Sequence, residues 1–177
     1  MPRYIRPGAP GATIFFTVAL AARGSDLLVR EVGRLRQAVR QTRLEQPFRI
    51  DAWVVPPDHL HCIWKLPPSD CDYPTRWKTI KAHFTRSVGL TGRRSPSKAA
   101  KGETGIWQRR YWDHHIRNGS DYRNHVRYCW GNPVKHGLVD RPVDWPFSSL
   151  HRDIQAGRAD PCFVDASAPG TFGEPVW

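Results

Sequence analysis

Two histidines separated by one residue, in "PPDHLHCIW", are the first residues in this chain that could do chemistry together. In an extended strand, residues two apart point to the same face. His59, His61 and Ile63 therefore share one face, and Leu60, Cys62 and Trp64 the other. Two neutral imidazoles side by side can hold one cation while leaving positions open for a third ligand and a substrate. The same spacing also arises in a strand whose histidines have nothing to do with each other, in a chain that has eight.

A second group lies in "DYRNHVRYCWGNPVKHG". Tyr128 and Asn132 are four residues apart and would share a face if one helix carried both. A tyrosine can attack as a nucleophile and form a covalent intermediate. With an ordinary pKa near 10, it needs a neighbouring cation or base to do so. The bland alternative is a core tyrosine on an amphipathic helix.

The elements that must position these groups follow from hydrophobic period and turn residues. "TIFFTVAL" reads as a strand over Thr13–Ala19. The preceding arginines and short apolar run mimic a secretion signal, but Pro7, Gly8, Pro10 and Gly11 interrupt it. Asp26–Glu45 reads as one helix, with Leu28, Val32, Leu35 and Val39 at helical spacing. "FRIDAWVV" and "HLHCIWKL" are two strands joined by a short turn, and so antiparallel neighbours. "PTRWKTIKAHFTRSVG" is a helix with Trp77, Ile80, Phe84 and Val88 on one side. "LTGRRSPSKAAKGETG" reads as a mobile basic loop. "IWQRRYWDHHIR" is a fourth strand. Ser120 or Asp121 then starts a last helix, which Gly131 or Pro133 is expected to stop. From about Asp140 five prolines and little pattern predict a surface wrap. The order βαββαβα predicts an α+β, ferredoxin-like four-stranded antiparallel sheet with helices. Residues 1–150 are expected to form one domain and 151–177 a C-terminal tail.

The chain has 177 residues, 40% of them hydrophobic, and a formal charge of +11. That composition excludes a disordered chain. The charge favours a polyanionic partner. No stretch approaches the 18 or so apolar residues of a membrane span. The four cysteines form no C-x-x-C pair and are expected to be reduced thiols.

"PPDHLHCIW", "IWQRRYWDHHIRNGSDYRNHVRYCWGNPVKHGLV" and "DWPFSSLHRD" together resemble the REP-associated tyrosine transposases, bacterial members of the HUH nuclease superfamily. The resemblance runs from about Phe15 to Asp153. It implies the HUH nuclease fold, His59 and His61 as ligands of Mg²⁺ or Mn²⁺, Asn132 as a third ligand, and Tyr128 as nucleophile. The substrate implied is single-stranded DNA beside a palindromic hairpin, cut through a 5′-phosphotyrosine intermediate by a monomer. A cytoplasmic, nucleoid-associated protein without a membrane partner is expected. The absence of a G-x-x-x-x-G-K-[ST] phosphate loop fits chemistry that needs no nucleotide cofactor.

DNA contacts are expected from Arg76, Lys78 and Lys81 on the second helix and from Arg93, Arg94 and Lys98 in the basic loop. Trp107, Tyr111 and Trp112 could stack on unpaired bases. Asp113, His114 and His115 could orient the site, and Lys135 and His136 could steady the leaving oxygen. Two rivals are a hairpin-binding protein without turnover and a metal-free phosphoesterase using both histidines as acid and base. Histidine ligands must be neutral, and an unperturbed imidazole titrates near 6.5. Cleavage of a single-stranded hairpin substrate is therefore expected to fall as pH drops through about 6; full activity near pH 5 would count against histidine-held metal.

Overall fold

The computed structural model describes residues 8–92, 96–100 and 104–164. Arg93 and Arg94 lie outside the described residues, as does the side chain of Lys98. Four strands form one sheet in the order β2-β3-β1-β4: β1 (Thr13–Ala19), β2 (Arg49–Val54), β3 (His59–Lys65) and β4 (Trp112–His115). Every pairing is antiparallel. This is the α+β, ferredoxin-like sheet that the pattern predicts.

Helices α1 (Leu27–Arg30), α2 (Val32–Glu45) and α3 (Tyr73–Val88) follow β1 and β3, and a short α4 (Pro96–Ala100) follows α3. α5 (Gly119–Lys135) and α6 (Leu150–Gln155) follow β4. α2 and α3 cover one face of the sheet, where Phe16, Leu60, Trp64, Leu35, Trp77 and Phe84 form the larger core. α5 covers the other, where Tyr128 and Cys129 meet Phe15, Ala52, Val54 and Ile63. Strand alternation thus divides β3 as its sequence predicts. In β2 a bulge at Asp51 shifts the register, so that Ile50 faces Trp64 and Ala52 faces Ile63.

Several expectations are corrected. The helix predicted over Asp26–Glu45 is broken at Glu31, whose φ of −107° and ψ of 24° leave the helical region. The preceding turn is tied to the β2–β3 connection, Leu28 N–H donating to the Pro57 carbonyl. The basic loop contains α4. The fourth strand is confined to Trp112–His115, because Trp107 bridges Leu20 alone and the chain between leaves the ladder. α5, expected to start at Ser120 or Asp121, is instead capped by Asn118, whose side chain accepts from Asp121 N–H, while the Asp121 carboxylate accepts from Arg117 N–H.

Most consequentially, that helix does not stop at Gly131 or Pro133. It continues to Lys135 because the segment is buried: Cys129 through Pro133 are all covered. Packing on β2 and β3 outweighs the weak helix propensity of glycine and proline. Within the proline-rich end, the described residues 140–164 are tied to the sheet instead of merely wrapping the surface. Ser149 exchanges hydrogen bonds with the Trp53 backbone, through its own N–H and its Oγ, and Val55 N–H donates to the Phe147 carbonyl. The Trp145–Ser149 stretch so covers the outer edge of the sheet, which would otherwise offer unpaired backbone groups.

Arg76 belongs to the fold and not to a DNA surface. It is 2% exposed, pairs with Asp70 at 2.6 Å, and donates to the Gln46, Pro47 and Asp72 carbonyls. A buried guanidinium with this many acceptors links the end of α2 to the start of α3. Arg76→Ala is expected to lower folding stability by about 3 kcal/mol in urea denaturation, while leaving the salt dependence of DNA binding unchanged.

Candidate functional site

The α5 face of β3 carries His59 and His61, both buried, with ring centroids 5.0 Å apart. Each has its Nδ1 committed to the protein. His59 Nδ1 donates to the Asp58 carboxylate at 2.7 Å. His61 Nδ1 lies 2.9 Å from Thr17 Oγ1, which sits directly across from it on β1. With Nδ1–H donated, Nε2 carries the lone pair that a metal needs. Burial works against the charge on Asp58. The His59 hydrogen bond, the Gly24 N–H and the Arg23 guanidinium outweigh it and hold the carboxyl at about 2.

α5 lays a row of side chains along this pair. The Tyr128 ring is 5.1 Å from His61, and the His136 ring just past the helix end is 4.9 Å from His59. Asn132, 1% exposed, occupies the middle of that row, one turn from each. The continued helix is what puts it there. Lys135 Nζ donates to the Tyr128 hydroxyl at 3.1 Å and lies 4.9 Å from its ring centroid. The sequence reading put Lys135 at the leaving oxygen; the structure puts it on the tyrosine oxygen.

The residues after β4 begins are split by the sheet. His114 faces the site side, opposite Phe15, whereas Asp113 and His115 face the larger core opposite Phe16 and Ile14. There Tyr73 donates to Asp113. Asp113 and His115 therefore do not orient the histidine pair.

His114, Asp121 and His125 form a group that the sequence reading did not assemble. Their ligand atoms all lie within 4.8 Å of one another, close enough to hold a cation. In the arrangement seen they are bonded to each other: His114 Nε2 is 2.9 Å from the Asp121 carboxylate and His125 Nδ1 2.8 Å from the Asp121 carbonyl. Burial opposes the Asp121 charge, but the Arg117 N–H and His114 hold the carboxyl below its usual range. Burial also lowers the His125 imidazole. The group fastens the start of α5 to β4. His125 lies one turn before Tyr128, and the Phe15 ring separates it from His61, 4.7 Å from one and 5.6 Å from the other. Spacing alone could have suggested it, since Asp121 and His125 are four apart.

Of the expected DNA-contacting residues, those on α3 lie across the sheet from Tyr128. Lys78 is exposed there. Lys81 is not a surface charge: its Nζ donates to the Gln108 carbonyl and sits 5.7 and 5.4 Å from the Trp107 and Tyr111 ring centroids. Burial pushes its ammonium down to about 8. Trp107 and Tyr111 pack against the larger core. Trp112 differs, lying half-buried on the site side, stacked on His114 and edge-on to Phe15.

No protein-family model matches the chain. It is 46% identical over 157 residues to the REP-associated tyrosine transposase of Escherichia coli (strain K12), covering 89% of this chain and 87% of that protein. A Haemophilus influenzae protein named for the same family is 40% identical, over 88% and 89% of the two chains. A solved structure of a REP-associated tyrosine transposase bound to a REP hairpin superposes with a TM-score of 0.90 and 42% identity, covering 100% of this chain and 99% of that one. With the sheet, the histidine pair and the helical tyrosine already in place, these relationships settle the family: the chain belongs to the REP-associated tyrosine transposases, a family of enzymes.

Proposed function

We propose that the protein is a metal-dependent endonuclease and strand transferase for single-stranded DNA, cutting beside palindromic hairpins through a 5′-phosphotyrosine intermediate. The carrying observation is the Tyr128 ring 5.1 Å from His61, with the Lys135 ammonium on the tyrosine hydroxyl. The hairpin bound to the solved relative supports the substrate class. We place the protein as a monomer in the cytoplasm, associated with the nucleoid; among the described residues no helix is long and apolar enough to cross a membrane.

His59, His61 and Asn132 would hold the cation. Two imidazole nitrogens and an amide oxygen form a mixed donor set that suits Mn²⁺ better than the more strictly oxygen-seeking Mg²⁺. When bound, the cation supplies positive charge at the non-bridging oxygens of the scissile phosphate. Asp58 and Thr17 fix the two ring orientations through Nδ1. The Tyr128 oxygen attacks phosphorus and gives up its proton to solvent water. A tyrosine O–P bond forms as the bond from phosphorus to the 3′ oxygen breaks, and that oxygen takes up a proton. Lys135 stabilises negative charge on the tyrosine oxygen as attack begins. Attack by another 3′ hydroxyl reverses the step and rejoins the strand. α5, anchored at its start by Asn118 and Asp121, keeps Tyr128 beside the histidines.

With Mn²⁺ and an oligonucleotide carrying a palindromic hairpin, a covalent protein–DNA adduct is expected on a denaturing gel. It should vanish with chelator and in Tyr128→Phe; an adduct that survives in Tyr128→Phe would assign the nucleophile elsewhere. Asp58→Asn removes the charge that orients His59 and should slow cleavage by roughly 10–100-fold while raising the Mn²⁺ concentration needed. An unchanged metal requirement would separate Asp58 from the metal site.

A further inference from the structure

At the outer edge of the sheet lies a groove of about 1200 Å³, bounded by α2, β2, α5 and the chain around α6. Eight arginines line it against three aspartates, and all eight are exposed. Arg36, Arg40 and Arg43 recur along one side of α2; Arg123 and Arg127 are one turn apart on α5. The aspartates are already engaged. Asp51 pairs with Arg49, and Asp153 pairs with Arg152 and Arg158. Asp160 accepts from Cys162 N–H. The two helical walls thus carry the uncompensated charge. Between them the half-buried rings of Trp53, Tyr122 and Phe163 join the lining.

A basic track with aromatic side chains along it is the design of a single-strand site, in which arginines meet phosphates and rings meet unpaired bases. A groove of this volume suits a few nucleotides of unpaired strand better than a duplex. α5 links it to the chemistry. Arg123, Val126, Arg127 and Trp130 line the groove on one side of the helix, while Tyr128 and Asn132 lie on the side facing the sheet. None of the residues expected from sequence to contact DNA lines it.

We propose that this groove is the binding track for the single-stranded DNA that leaves the hairpin, delivering it past α5 to Tyr128. The inference rests on the proposed DNA substrate. Arg40 and Arg123, one from each wall, have no hydrogen-bonding or ion-pair partner among the described residues, so replacing them breaks no such bond.

The test uses the full chain carrying Tyr128→Phe, with chelator present, so that binding is read without cleavage. A labelled oligothymidine of about twenty nucleotides is titrated by fluorescence anisotropy across a range of salt. Arg40→Ala/Arg123→Ala should weaken binding about tenfold or more and reduce the slope of log affinity against log salt by about 1.4, two single-strand phosphate contacts. Lys65→Ala/Arg86→Ala, two exposed charges outside the groove, should leave both unchanged. An unchanged slope in the groove variant overturns the proposal, as does weakened binding of a blunt duplex with oligothymidine binding intact. If a tyrosine adduct still forms on the hairpin substrate in the protein with Tyr128 intact, the groove reading alone has failed. No binding of single strands by the parent protein, and no adduct, would overturn the proposed function with it.

Discussion

Strand β3 is buried on both faces, and that constraint governs the rest of the molecule. It lies between β1 and β2, with α2 and α3 over one side and α5 over the other. Leu60, Cys62 and Trp64 fill the first side, and His59, His61 and Ile63 the second. A slip of one residue would exchange the two sets. It would drive imidazoles into an aromatic core and expose Trp64 to the site, so the hydrophobic register and the histidine geometry are the same fact. Burying two imidazoles is tolerable because each Nδ1 has a partner, Asp58 or Thr17.

The second requirement is a helix held still over that face. α5 contains a glycine and a proline in its last turns, so its own propensity is poor. Its start is fastened by Asn118, Asp121, His114 and His125, and its middle is buried against Phe15, Val54 and Ile63. Tyr128, Asn132 and His136 then fall in one row along the histidine pair. The hydroxyl of Tyr128 meets Lys135 on the same helix, so tyrosine and ammonium are positioned by one element.

Charge is distributed by the same architecture. Lysines and arginines that look equivalent in sequence have separate fates. Arg76 and Lys81 are taken into the packing beneath α3. The arginines of α2 and α5 come together at the β2 edge although nearly ninety positions apart in the chain. A net charge of +11 says that an anion is welcome but not where.

The sequence by itself determined the order of the four strands and of the main helices between and after them, the shared facing of His59 and His61, and the presence of Tyr128 on the helix after β4. Each depends on short-range periodicity, a period of two in a strand or of three to four in a helix, and such periods survive any tertiary arrangement. Tertiary structure alone decided the rest. Whether α5 ran past Gly131 depended on its burial against β2 and β3, and so did the place of Asn132. The break at Glu31 depended on a contact with Pro57. The division of Asp113 and His115 from His114 depended on where β4 entered the ladder. Burial of Arg76 and the meeting of two arginine-bearing helices are contacts between segments far apart in sequence, for which local pattern carries no signal.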